Sequence, residues 1–319
     1  MDKPLPVIID CDPGQDDAVA LALAFSAPEI FEILGVTTVA GNVPLNLTQR
    51  NARLVCEICN RSDVKIYAGC DKPMEQELVT AEYVHGQSGL DGIDIYEPEH
   101  PLEKTHAVDF IIETLLAADD NSITLIPTGP LTNIGTAINK EPNILPKIKE
   151  IILMGGAAQE GGNVTPSAEF NIYVDPEAAD IVFKCGRPIV VMSLDVTHQV
   201  LTSRKRLDRI RAIGTKTAKM MTDLIAFYER YDEEKYHTDG GPLHDPCTIA
   251  YLIKPELFKL KDINVVIETS GDITRGETVA DFWNVTGRKP NVKWAYEVDE
   301  DGFFDLVIEQ LKEIKLLVK

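Results

Sequence analysis

Four aspartates fall within eight residues, at Asp10, Asp12, Asp16 and Asp17 of the stretch DCDPGQDDA, directly after the apolar run Val7-Ile8-Ile9. Carboxylates packed this closely repel one another unless a cation lies between them. An all-oxygen donor set selects a hard metal, calcium or magnesium. A helix cap at Asp16 would account for one or two of the acids but not for four. A β-branched run that ends in acids predicts a buried strand delivering carboxylates to the carboxyl edge of a sheet, where open α/β sheets bind their ligands. Pro13 and Gly14 supply a tight turn, and Asp16-Asp17 then open a helix through Ala18 to Phe25, with acids in its first turn.

Other aspartate-rich motifs fit worse. An EF-hand loop beginning at Asp10 needs Gly at its sixth position and Glu at its twelfth, and these are Gln15 and Leu21. A phosphatase of the haloacid dehalogenase type shares a strand-end Asp-x-Asp but expects Thr or Val where Gly14 stands.

The elements that must position these acids follow from the apolar patterning. Val7 to Asp10, Ile33 to Val39, Val64 to Tyr67, Ile123 to Ile126, Ile151 to Met154 and Ile189 to Ser193 read as buried strands. Helices are expected at Leu45 to Cys59, His106 to Ala118, Asp175 to Lys184 and Thr215 to Tyr231. The alternation predicts an α/β fold with an open, largely parallel, doubly wound sheet of Rossmann-like type. A further strand, Ile263 to Ile267, follows a long helical region and is expected at an edge. Polar, turn-rich segments follow several strands: AGN at 40–42, PTGPLTN at 127–133 and MGGAAQEGGN at 154–163. Such loops converge on one rim of the sheet. None carries GxGxxG or a Walker-type Gly-Lys-Ser/Thr, so no dinucleotide or phosphate cradle is signalled.

The 319 residues contain no linker-like stretch or internal repeat, and one domain spanning 1–319 is expected, with 44% hydrophobic content to fill its core. A formal net charge of −20 opposes binding to nucleic acid or an anionic membrane. The start MDKPLPVIID lacks a signal-type apolar core, and a cytoplasmic protein is expected. Cys56 and Cys59 form a CxxC late in a helix, away from the N-terminal dipole that activates thiols, so the six cysteines indicate neither a disulfide framework nor a redox pair.

DCDPGQDDA combined with HGQSGLDG at 85–92, PTGPLTN, TPSAEFN at 165–171 and GGPLHD at 240–245 resembles the inosine-uridine preferring nucleoside hydrolases, in the family's motif order and over nearly the whole chain. The resemblance implies calcium-dependent hydrolysis of the N-glycosidic bond of ribonucleosides to ribose and free base. It implies Ca²⁺ ligands at Asp12, Asp17, the backbone carbonyl of Thr128 and Asp245, with metal-bound water as nucleophile and Asp12 as its proton acceptor. The sugar would be clamped by Asp16, Asn42, Asn163, Glu169 and Asn171, with Phe170 and Met154 lining the pocket. Glu169 and Asn171 share a face if that stretch is extended. His244 corresponds to the general acid for the departing base, and His85 to a position near the base.

The segment YERYDEEKYHT at 228–238 resembles the family's flap, from which Tyr236 is taken as a base contact, while Tyr228 and Tyr231 have core-facing spacing. Base preference does not carry over, because Asp232 lies where the family varies. A homodimer or homotetramer is expected by the same likeness. Two other classes are weighed against this one. A non-catalytic nucleoside binder would not need Asp12, Asp16, Asp17, His244 and Asp245 together, and a metal-dependent phosphatase conflicts with the net charge and the missing phosphate cradle.

Overall fold

The computed structural model describes the backbone of residues 3–236 and 240–317, with side chains for 3–230 and 240–312. Its strands are β1 (Leu5–Cys11), β2 (Phe31–Thr38), β3 (Ile66–Ala68), β4 (Leu102–Glu103), β5 (Ile123–Pro127), β6 (Ile148–Met154), β7 (Ile189–Met192), β8 (Phe258–Ile267), β9 (Thr278–Asp281) and β10 (Val292–Val298). They form one sheet in the order β4-β3-β2-β1-β5-β6-β7-β10-β8-β9. Pairing is parallel from β4 through β10 and antiparallel for β10 with β8 and β8 with β9. The largely parallel, doubly wound α/β architecture expected from the sequence is therefore present.

β1 reads as a continuous apolar run because both faces of the sheet are covered. Val7 and Ile9 pack into one apolar layer, and Ile8 into the other. This is the alternation that a strand imposes on successive side chains. β1 pairs with β2 on one side and β5 on the other. Its two neighbours are reached by connections running in opposite directions, so the crevice at its carboxyl end is a topological switch point.

Helix Gln15–Phe25 is buried along all its residues and so reads as apolar on every side after its first turn. It packs against helix Pro246–Ile253, whose N-cap is Asp245. The two helices bring their N-terminal ends, and hence Asp16, Asp17 and Asp245, together. Partial positive charge at both ends offsets part of the cost of burying acids there.

Two expectations need correction. The strand expected at Ile263 to Ile267 begins at Phe258 and is not at the edge, since β9 pairs along its outer side. Residues 169–171 are not extended as a strand. Glu169 is the N-cap of helix Phe170–Val174, its carboxylate accepting from the backbone N–H groups of Asn171 and Ile172. An acceptor side chain followed by Phe-Asn-Ile-Tyr-Val starts a helical turn by satisfying its first free donors.

Candidate active site

At the end of β1 the carboxylates of Asp16, Asp17 and Asp245 place one oxygen each within 4.8 Å of one another, all buried. Asp12 adjoins them, fully buried: its Oδ2 accepts from the backbone N–H of Asn42 at 2.7 Å, and its Oδ1 has no hydrogen-bond partner. Asp17 is fixed from three sides, by the Gly14 N–H at 3.1 Å, the Asn42 amide at 3.2 Å and the Thr128 hydroxyl at 2.8 Å. Burial pushes Asp16 up to about 6 and Asp17 to about 7, with Asp12 and Asp245 held well above the ordinary carboxylate range. For Asp12, Asp17 and Asp245 the neighbouring negative charges push in the same direction. A cation reverses this logic by favouring the ionised forms. The orphaned Asp12 oxygen and the buried oxygen donors around it fit a hard divalent ion such as calcium.

Asp10, the first acid of the motif, points elsewhere. Its carboxylate takes the Thr37 hydroxyl at 2.6 Å and the Asn133 amide at 2.8 Å, tying β2 and the helix Thr132–Lys140 to β1.

The sugar-binding candidates surround a pocket lined by Asp16, Asn42, Thr128, Met154, Glu169 and Asn171, among others. The Asn171 amide donates to the Thr128 carbonyl at 2.8 Å and to the Met154 carbonyl at 3.2 Å, linking the rims of β5 and β6. A carbonyl has two lone pairs, so the Thr128 oxygen keeps one for another partner. Glu169 Oε2 also accepts the Gly156 N–H at 2.9 Å, and burial pushes this carboxyl up to about 7. Asn163 accepts the Phe170 N–H at 2.9 Å, and both residues line the pocket.

The far end of the pocket is aromatic. His85, His198, Tyr228 and His244 line it. Tyr228 stands between two of the histidines, its ring centroid 5.7 Å from that of His85 and 6.5 Å from that of His244. His85 Nδ1 lies 2.6 Å from Gln15 Oε1, an acceptor, so the ring proton is on Nδ1. Burial pulls His85 down to about 3 and holds His244 well below its ordinary value, so both rings are neutral near pH 7. His244 Nδ1 is 2.7 Å from the Thr197 hydroxyl.

A pocket lined by carboxylates and amides together with aromatic rings suits a nucleoside, and the comparisons decide the family. Residues 7–305 match the family model for inosine-uridine preferring nucleoside hydrolases. The chain belongs to that family. It is 44% identical over 313 residues, 98% of this chain and 99% of the relative, to the pyrimidine-specific ribonucleoside hydrolase RihA of Enterobacter sp.. Among solved structures, a purine-preferring ribonucleoside hydrolase from Gardnerella vaginalis superposes with a TM-score of 0.90 at 32% identity, covering 98% of this chain and 100% of that one. A plant nucleoside hydrolase gives 0.90 at 35% identity over 97% and 99% of the two chains. This nucleoside hydrolase is an enzyme that acts on N-glycosyl bonds, as its motifs implied.

Every site residue named from the sequence of this nucleoside hydrolase, apart from Asp12, Asp17 and Tyr236, lines the one pocket. Asp12 and Asp17 lie beneath it, through the contacts given above. Tyr236 falls on side chains outside the described residues, as does Tyr231. Tyr228, assigned from its spacing to the core, is a pocket residue, and the signal was its place in the tyrosine-rich segment ahead of GGPLHD. His198 was missed altogether, because Thr197-His198 belongs to no motif and its place beside His244 is visible only in three dimensions. Cys56 and Cys59 of the CxxC are free and buried, and burial pushes both thiols up, Cys59 to about 12. Among the described residues no helix is long and apolar enough to cross a membrane.

Proposed function

We propose that this nucleoside hydrolase cleaves ribonucleosides in a calcium-dependent reaction with water as the nucleophile, releasing ribose and free base. The observation that supports the reading is the cluster of buried carboxylates from two helix ends, Asp16, Asp17 and Asp245, close to Asp12, whose Oδ1 has no hydrogen-bond partner. Asp12, Asp17, Asp245 and the Thr128 carbonyl would hold the ion, with Asp16, the third acid of the cluster, serving the sugar. Calcium, when bound, supplies positive charge that orients and acidifies a water and offsets repulsion among the acids.

The remaining steps belong to the side chains. Asp12 accepts the proton of the attacking water, its carboxylate fixed in direction by the Asn42 N–H. Departure of the base builds positive charge on the ribosyl ring, which carboxylates around the sugar stabilise. Asp16, Asn42, Asn163, Glu169 and Asn171 would hold the hydroxyls, since carboxylates and amides pair with groups that both donate and accept. His244, kept in place by Thr197, would donate to the departing base, and a neutral imidazole can do so through its N–H.

The test is a panel of purine and pyrimidine ribonucleosides, 2′-deoxynucleosides and 5′-monophosphates assayed for reducing sugar, with and without chelator. Ribonucleosides should be cleaved only with the metal present. Release of phosphate without sugar, or full turnover in protein shown by elemental analysis to be metal-free, would refute the proposal.

A further inference from the structure

Gln15 opens the helix that carries Asp16 and Asp17, and it is buried with its side chain reaching across to the HGQSGLDG segment. Its amide nitrogen donates to the His85 carbonyl at 2.9 Å and to the Asp91 carbonyl at 3.1 Å, while its Oε1 lies 2.6 Å from His85 Nδ1. Asn51 ties the same two stretches together, donating to the Pro13 carbonyl at 3.0 Å and the Ser88 carbonyl at 2.8 Å.

These bonds fix more than the place of a loop. A backbone carbonyl only accepts, so the two carbonyls dictate which end of the amide is the NH₂ and leave Oε1 facing the ring. An oxygen there requires a proton on Nδ1. Burial keeps the ring neutral by pulling it down to about 3, so Nε2 carries no proton. The ring is confined as well: a Cβ on Gly14 would lie 2.5 Å from Nδ1 and 2.7 Å from Cε1, so the glycine of the turn leaves the room it needs. Turning the ring over would put a C–H where Nδ1 stands and strand Oε1 without a donor. His85 lines the pocket beside Tyr228, and Nε2 has no hydrogen-bond partner among the described residues.

We propose that Gln15 is a positioning residue for base recognition: it holds His85 as the Nδ1–H tautomer, so that Nε2 meets the base as a hydrogen-bond acceptor. The inference rests on the ribonucleoside reading of the pocket and deepens it, because an acceptor selects a base that bears a ring N–H or an amino group. A ring in this form has no proton to give from Nε2, so of these two histidines it is His244 that serves the departing base as acid. The turn that sets Asp16 and Asp17 thereby also sets the polarity of the contact with the base.

The experiment pairs ¹⁵N NMR with steady-state kinetics on the calcium-supplied full chain. Imidazole ¹⁵N shifts distinguish a protonated from a bare nitrogen, and His85→Phe identifies the His85 signals by their loss. Wild type should show Nδ1 protonated and Nε2 bare. Gln15→Met, which keeps the bulk of the side chain without its polar atoms, should move the proton toward Nε2. The kinetic arm compares uridine with 3-methyluridine and adenosine with purine riboside, the second member of each pair lacking the N–H donors of the base. Wild type should favour the first member. Gln15→Met and His85→Phe should each cut that preference about tenfold, the worth of one good hydrogen bond, by raising KM for the donor-bearing base. Taking the ratio within a pair for each protein cancels differences between leaving groups. Thermal melts accompany both variants, and His85→Phe carries the kinetic test if Gln15→Met does not fold. A wild-type spectrum with the proton on Nε2, or variants that lose equally on both members of each pair or not at all, would overturn the inference and leave the nucleoside reading intact. Wild-type protein that cleaves no ribonucleoside would overturn that reading and the base contact with it.

Discussion

Asp12 is boxed between two glycines, and Gly129→Ala is the perturbation that exposes what this confinement does. A Cβ at Gly129 would lie 2.8 Å from Asp12 Cγ and closer still to Oδ1, while one at Gly41 would strike Oδ2. Gly129 does not occupy the left-handed region of backbone space, so alanine is conformationally acceptable there and the effect is purely steric. Ordinary contact begins near 3.4 Å, so the carboxylate must retreat by at least about 0.6 Å, and Oδ1 by more. The retreat strains the 2.7 Å bond from the Asn42 N–H that aims Oδ2. A misplacement approaching 1 Å costs on the order of 10²-fold in rate, against about 1–3 kcal/mol of stability for overpacking. The assay is kcat/KM on a ribonucleoside for Gly129→Ala, Asp12→Asn and the double variant, with thermal melts. Asp12→Asn should be the more severe, and adding Gly129→Ala to it should cost little more, because both act through one carboxylate. If Gly129→Ala stays within about threefold of wild type, or if the two losses multiply in the double variant, positioning of Asp12 by its glycine box is refuted.

Other outcomes follow from the same geometry. Calcium at about 100 times its dissociation constant should stabilise the folded protein by about 2.7 kcal/mol, read as a rise in Tm that chelator reverses. No shift would rule out a cation held by the buried acids. His244→Ala should slow a purine nucleoside by roughly 10²- to 10⁴-fold and largely spare a riboside with a good leaving group, and equal losses would mean that His244 supports the fold or the acidic cluster instead. If Asp16 and Asn171 clamp the 2′ and 3′ hydroxyls, a 2′-deoxynucleoside leaves buried polar groups unpaired and should lose about 10⁴-fold in kcat/KM, so comparable values for the ribo and deoxy forms would sink the clamp.

The acid cluster was legible because its signal is local: a β-branched run, then carboxylates, then an apolar helix, all within Val7 to Phe25. The parallel core strands were legible for the same reason, each being a short uninterrupted apolar run between turn residues. β9 and β10 were not, because β9 is four residues with two partly exposed, and β10 alternates Lys293, Trp294, Tyr296 and Glu297 without a clean period. The helix start at Glu169 was hidden by its chemistry. A buried glutamate near a sugar pocket reads as a substrate ligand, and only coordinates reveal that three backbone N–H groups already occupy it. His198 could not have been found from spacing, since its neighbours in the pocket, His244 and Tyr228, lie more than two dozen residues away along the chain.

The placement of β10 has a consequence for how the molecule is made. It is the last strand in the chain, yet it enters between β7 and β8, so β8 and β9 pair with no strand of the parallel sheet until it arrives. The same strand carries Trp294, the indole donor to Asp195. A nascent chain therefore exposes its N-terminal acids early and gains the indole donor to Asp195 only near the end of synthesis. Folding must bring Lys293 beside Val190, about a third of the chain apart, which is slow relative to local structure formation. A product stopped before Val292 would retain the whole DCDPGQDDA motif and every carboxylate of the site, yet lack the strand that joins the two parts of the sheet.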